Sequence, residues 1–224
     1  TGSASDASGF SIVSYTGTGS AGTIKHGLST APKMIIVKDR DNASYSWHVY
    51  HEKVGNGKTF YLNLTNTPDT NSIYWNDTTP TSSVFSVGTS VTTNNNTDAF
   101  IAYCFAEKQG YSKFGSYTGN GNADGTFVYL GFKPAFVLVK DTSSSNNWRL
   151  SDNKRNEFNL VDDFLFPSSN IVENAISGSF DFLSNGFKAR SSNGGMNASG
   201  STYIYMAFAE NPFTTSTGVP ATAR

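Results

Sequence analysis

Polar and apolar residues alternate in short bursts along this chain, and the bursts end in turn signals. Phe10-Ser11-Ile12-Val13-Ser14-Tyr15 alternates except at Val13, the period of a half-buried strand. Met34 to Val37 is an unbroken apolar run, and Phe136 to Val139 repeats it. Such runs mark strands covered on both faces. Trp47-His48-Val49-Tyr50-His51 alternates again, and Phe60 to Leu64 and Val84 to Gly88 read as further strands. Ile73-Tyr74-Trp75 predicts a short strand between Asn/Thr/Pro-rich loops. Ala99 to Glu107 sets small residues (Ala102, Cys104, Ala106) on one face and large ones (Ile101, Tyr103, Phe105) on the other. Leu160 to Pro167 predicts a short helix or strand. Phe180 to Leu183 and Gly186 to Lys188 form a hairpin pattern around Ser184-Asn185. Turn signals return every ~10 residues and no segment carries a convincing helical period, which predicts an all-β protein of the sandwich kind.

The pattern is written twice. Tyr15-Thr16-Gly17-Thr18-Gly19, leading to Pro32 and Met34-Ile35-Ile36-Val37-Lys38-Asp39, returns as Tyr117-Thr118-Gly119-Asn120-Gly121, leading to Pro134 and Phe136-Val137-Leu138-Val139-Lys140-Asp141. The tyrosines are 117 − 15 = 102 apart and the lysines 140 − 38 = 102 apart. Trp47 answers to Trp148, Phe85 to Phe187, and Phe105-Ala106-Glu107 to Phe208-Ala209-Glu210. An internal repeat this long predicts two tandem β-sandwich units, jelly-roll or lectin-like, standing as two similar domains or as two halves of one pseudo-symmetric body. Their expected limits are a linker at residues 1–8, a first unit at 9–110, a second at 111–213 and a C-terminal tail at 214–224.

Composition narrows the function. Net charge is −1 and charged residues are 15% of 224, so no broad field draws the chain to nucleic acid or anionic membrane. The surface must be wetted by Ser, Thr, Asn and Gly. No run approaches the ~20 apolar residues of a membrane span, so no membrane insertion is expected. The single cysteine, Cys104, excludes an intrachain disulfide and reads as a small buried residue.

Candidate chemistry is sparse. Gly17, Gly19 and Gly22 spell GxGxxG, but the residues after them suit a turn rather than the helix a dinucleotide site needs. His26 sits in a turn and is expected to be solvated. His48 and His51 are three apart, on opposite faces of a strand, and cannot readily share a metal. Asp39, Asp141, Glu107 and Glu210 recur in both copies, which favours capping or pairing with Lys38 and Lys140 over catalysis. Asp124, Asp162 and Asp163 lack the spacing of a calcium loop. No GxSxG, HExxH or CxxC motif is present. No catalytic residue, metal site or cofactor is therefore expected. The five sequons, at Asn42, Asn63, Asn76, Asn95 and Asn197, read as chance in an Asn/Thr-rich chain. Aromatic rings in polar loops are the better signal, because Tyr and Trp stack on sugar rings while nearby Asn and Asp take hydroxyls. Tyr45, Tyr74 and Trp75, with Asn76 and Asp77, are the candidate glycan contact; the alternative is that these rings anchor their loops on the core.

The string from Glu107 to Gly121 (Glu-Lys-Gln-Gly-Tyr-Ser-Lys-Phe-Gly-Ser-Tyr-Thr-Gly-Asn-Gly) resembles a recurrent segment of bacteriophage tail-fibre-like structural proteins of the marine phage type. So do Tyr203 to Phe213 and the ending Gly218 to Arg224. The resemblance covers residues 9–224. It implies a virion location, the C-terminal part of a larger protein with Arg224 as its natural end, and no catalytic residue to carry over. It further implies a homo-oligomer, a trimer being the usual state of fibres, and contact with a host-surface glycan or protein. The competing expectations are a purely structural virion or filament subunit and a polysaccharide depolymerase.

Overall fold

The structure is a computed structural model that describes residues 2–173 and 178–211. It is all-β, and the chain divides after Glu107 into two compact units. The first holds β1 (Gly2–Ser5), β2 (Phe10–Thr16), β3 (Gly22–Lys25), β4 (Met34–Asp39), β5 (His48–His51), β6 (Lys58–Tyr61), β7 (Asp69–Thr70), β8 (Val84–Val87), the one-turn helix α1 (Val91–Asn94) and β9 (Ala99–Phe105). The second holds β10 (Ser112–Thr118), β11 (Phe127–Tyr129), β12 (Pro134–Asp141), β13 (Arg149–Asp152), β14 (Phe180–Leu183), β15 (Gly186–Ala189) and β16 (Thr202–Ala209).

The repeat in sequence is a repeat in topology. The first unit's large sheet runs β1-β2-β9-β4-β5-β6-β7, and the second unit's runs β10-β16-β12-β13. Within them β2-β9-β4-β5 and β10-β16-β12-β13 correspond. A smaller sheet accompanies each, β3-β8 in the first unit and β11-β15-β14 in the second. One apolar cluster per unit joins its two sheets. Ile35, Val37, Phe100, Ala102 and Cys104 meet Phe85 and Val87 in the first. Val137, Val139, Tyr203, Tyr205 and Ala207 meet Val128, Phe180 and Phe187 in the second. On β9 the small face expected from the sequence is the buried one, since Ala102 and Cys104 lie in the core while Ile101, Tyr103 and Phe105 are half-buried. Their small volume lets the facing aromatics of the smaller sheet approach closely.

Three expectations need correction. Residues 2–5 are not linker: they form β1 and pair with β2 in the register Gly2↔Val13 to Ser5↔Phe10. A backbone-only pairing suits their small side chains, all exposed, and apolar patterning gives no hint of it. Ile73-Tyr74-Trp75 is a turn, closed by the Asn76 N–H donating to Ser72 O at 2.8 Å. Leu160 to Pro167 is neither helix nor strand and touches its neighbours through isolated bridges, Val161↔Phe180 and Leu150↔Leu165. The expected tail, residues 214–224, lies outside the described residues.

The duplicated Tyr-Thr-Gly-x-Gly stretch is held the same way in both units. The Tyr15 hydroxyl donates to Thr93 O at 2.6 Å and the Tyr117 hydroxyl to Met196 O at 2.7 Å. Gly19 N–H donates to Asn94 O and Gly121 N–H to Asn197 O. A side chain at Gly17 would run into the Asn95 carbonyl, and one at Gly119 into the Ala198 carbonyl, so both positions require glycine. Two buried asparagines complete the turns. Asn94 accepts from Thr18 N–H and donates to Ser20 O and Gly88 O. Asn197 accepts from Asn120 N–H and donates to Asn120 Oδ1, Asn122 O and Ser191 O.

Candidate functional site

The sequence candidates do not form a binding platform. Tyr74 and Trp75 are 8% and 2% exposed, because the turn at Ser72–Asn76 swings both rings into the core. Trp75 meets Tyr50 edge-on at 6.0 Å, and Tyr74 lies 4.9 Å from the His48 ring with its hydroxyl donating to Asp69 Oδ2 at 2.7 Å. Tyr45 is half-buried; Asn76 and Asp77 are exposed, both with left-handed backbone at φ 52° and 47°. Neither large ring can stack on a sugar, so the expected glycan contact at Tyr74 and Trp75 is replaced by the loop-anchor alternative.

The histidines are also buried. His26 is not solvated: its ring accepts from Leu28 N–H through Nδ1 and donates through Nε2 to Thr81 O at 3.1 Å. It borders a cleft of about 270 Å³ lined by Gly2, Ser3, Ala4, Val13, Lys25 and Gly27. His48, 1% exposed, sits in a polar cluster with Tyr61, Tyr74 and Asp69, and burial pushes its pKa down to about 4. Cys104 is buried and burial pushes its thiol up to about 12, the packing role expected of it.

Of the recurring acids, Asp39 and Asp141 cap loops, whereas Glu210 pairs with Lys133 at 2.7 Å. Asp39 Oδ1 accepts from Asp41 N–H and Asn42 N–H, and Asp141 Oδ1 from Ser143 N–H and Ser144 N–H. The adjacent lysines turn to carbonyls: Lys38 Nζ donates to Asn42 O at 2.8 Å and Lys140 Nζ to Asp141 O at 3.0 Å. Burial lowers the Lys140 ammonium to about 8, partly offset by Asp141. Among the described residues no group of three or more His, Cys, Asp or Glu is placed to hold a metal ion, and no helix is long and apolar enough to cross a membrane.

A different surface stands out where the two copies diverge. On β11, Val128 enters the core while Phe127 and Tyr129 point outward, 43% and 60% exposed. Register sets their neighbours. Phe127 pairs with Lys188 on β15, which pairs with Asp181 on β14; Tyr129 pairs with Gly186, which pairs with Leu183. A side chain at Gly186 would run into the Val128 carbonyl and stand 3.1 Å from the Phe127 ring. Lys113 reaches over from β10, its Nζ 5.3 Å from the centre of the Tyr129 ring and donating to Tyr129 O at 3.2 Å. Asp124 Oδ1 lies 2.6 Å from Lys188 Nζ and 3.4 Å from Arg190, whose Nε is 3.4 Å from Asp181 Oδ2. The Lys188 hydrogen bond and charge hold the Asp124 carboxyl below the usual carboxylate range.

Among the described residues none of this chemistry stands at the matching places of the first unit. Ile24 stands opposite Phe85 as Val128 stands opposite Phe187. By that register Thr23 and Lys25 take the places of Phe127 and Tyr129, Ser86 that of Lys188, Gly88 that of Arg190 and Ser11 that of Lys113. Packing residues recur because both units must fold; the outward aromatics and charges are private to one unit and are not needed for the shared fold. The signal was present in the sequence as Phe127-Val128-Tyr129. It was unreadable alone, since an all-apolar triplet does not say which face is outward, and aligning it with Thr23-Ile24-Lys25 would have shown it.

What the geometry defines is an all-β module with an exposed aromatic and ionic face. The chain belongs to the family described as Domain of unknown function (DUF7483), which matches residues 1–212. No curated protein and no solved structure matches it.

Proposed function

We propose that this chain is an adhesion module of a bacteriophage tail fibre or similar virion appendage, built from two lectin-like β-sandwich units, and that it engages a host-surface glycan through Phe127 and Tyr129. The observation that carries the reading is the exposed aromatic pair on β11, found in one copy of the repeat and absent from the other. Two rings on one face of a strand, ~6–7 Å apart by strand geometry, offer apolar area to sugar rings with polar partners alongside. The resemblance of Glu107–Gly121 to tail-fibre segments and the low charge of the surface agree with it. The reading assigns no reaction to the chain. Glycan-array binding of the full chain and of Phe127→Ala/Tyr129→Ala tests it. The double variant is expected to lose about tenfold in affinity, from roughly 1–1.5 kcal/mol of stacking. Absence of glycan binding by the parent chain, or equal binding by the variant, refutes it.

A purely structural, homo-oligomeric subunit, trimeric as fibres often are, is the second reading. It is favoured by β10, an edge strand among the described residues, whose counterpart β2 is covered by β1. Edges of this kind pair with other chains. A solution mass equal to the monomer, together with glycan binding, removes it.

A further inference from the structure

Asp124 occupies an unusual position for a carboxylate. It is 80% exposed on the loop between Gly121 and Gly125, yet its Oδ1 is shared by a lysine and an arginine. Lys188 and Arg190 both rise from β15 and the residue just after it, so the sheet fixes their backbones. Asp124 rises from a loop whose anchor is elsewhere: Asn120 Nδ2 donates to Asp124 O at 3.0 Å, and buried Asn197 holds Asn120 and Asn122. The loop therefore keeps its shape without the carboxylate. Lys188 is the direct cross-strand partner of Phe127, so the lysine that holds this oxygen leaves the sheet opposite an exposed ring. With Asp124 withdrawn, the face presents Lys113, Lys188 and Arg190, of which Arg190 stays close to Asp181.

We propose that Lys188 and Arg190 form a carboxylate-binding fork beside Phe127 that takes the acid group of a uronate-bearing glycan, and that Asp124 fills this fork in the free protein as a stand-in for that acid. The proposal rests on the glycan reading above and names its substrate class. A ligand carboxylate displaces Asp124 into water, which costs little for a group already mostly solvated, while its sugar ring lies on Phe127. Charge-assisted bonds to the two cations then replace those lost. Binding weakens as salt is raised, because the fork is only partly buried.

Calorimetric titration of the full chain with oligogalacturonate, alginate oligomers and methyl-esterified oligogalacturonate tests this, the ester keeping the sugar and removing the charge. Asp124→Asn removes the competing charge from the fork and is expected to tighten both acidic ligands about tenfold, whereas Lys188→Gln weakens them about tenfold. Asp124→Glu refills the fork and restores parent affinity, which separates displacement from loss of fold. The ester is expected to bind parent and Lys188→Gln alike. If Asp124→Asn binds the acids no better than the parent, or if acid and ester bind the parent equally while Phe127→Ala weakens both, the fork is wrong and the aromatic reading stands. If no probe binds the parent or Asp124→Asn, both are overturned.

Discussion

Removing the amide of Asn94 tests what holds the duplicated turn. In Asn94→Ala three side-chain bonds disappear: Thr18 N–H to Oδ1 at 2.9 Å, and Nδ2 to Ser20 O at 2.8 Å and Gly88 O at 2.7 Å. The bond to Gly88 is buried, so its carbonyl loses a partner that water does not easily replace, and the other two are partly exposed. At about 0.5–1.5 kcal/mol for each ordinary bond and about 1–3 for the stranded carbonyl, the loss sums to roughly 4 kcal/mol. In a unit of ~100 residues that lowers the melting temperature by roughly 15–30 °C. Scanning calorimetry of the full chain measures it, and amide exchange assigns the loss to the first unit. Asn94→Asp is expected to be at least as damaging, since a carboxylate faces two carbonyls it cannot donate to. Asn197→Ala gives the matching loss in the second unit, where four bonds vanish. A loss below about 0.5 kcal/mol in both would refute the reasoning. It would assign the turn to its backbone bonds, Gly19 N–H to Asn94 O and Gly121 N–H to Asn197 O.

Comparison of the copies also yields a backbone prediction. Thr97 has a left-handed backbone at φ 74°, where its counterpart is Gly200 at φ 77°. A β-branched residue there is strained by about 1–2 kcal/mol and glycine's flexibility returns about 0.5–1, so Thr97→Gly should gain roughly 0.5–1 kcal/mol and Gly200→Thr lose a similar amount in urea unfolding. A change of the opposite sign in either would mean that side-chain contacts outweigh backbone strain. His48 gives the acid dependence. Its pKa is lowered from an ordinary 6.5 to about 4, chiefly by burial. The unfolded chain therefore binds more protons between those values, and stability falls as pH drops from 6.5 to 4, by about 3 kcal/mol in total. Urea unfolding at pH 7, 5 and 4 should show that decline shrinking in His48→Gln; an unchanged profile would place the titration elsewhere.

Much of the architecture was written in the sequence, because it depends on periods the chain must obey. The unbroken run Met34–Val37 is buried on both faces, and its copy on β12 lies in the core in the same way at Val137 and Val139. The tandem of two β-rich units followed from the offset of 102 between Tyr15 and Tyr117. The turn glycines Gly17 and Gly119 were visible as repeated letters, but the asparagines that lock them were not. Asn94 and Asn197 sit in polar stretches, and nothing local says that their amides point inward across 74 to 77 residues of chain.

Which aromatic rings face outward was decided by tertiary structure, and from the sequence only the comparison of Phe127-Val128-Tyr129 with Thr23-Ile24-Lys25 hints at it. A Tyr-Trp pair in an Asn-rich loop and a Phe-Val-Tyr triplet on a strand have equal claims to exposure until the turn at Ser72–Asn76 and the pairing of β11 with β15 fix which way each ring faces. Burial is a property of what packs opposite a residue, and that partner is far along the chain: Tyr50 for Trp75, the outward rows of β15 and β14 for Phe127. Composition and periodicity determine that a chain makes strands and how many copies of a unit it carries. Which aromatic residues meet water is settled when distant strands take their register.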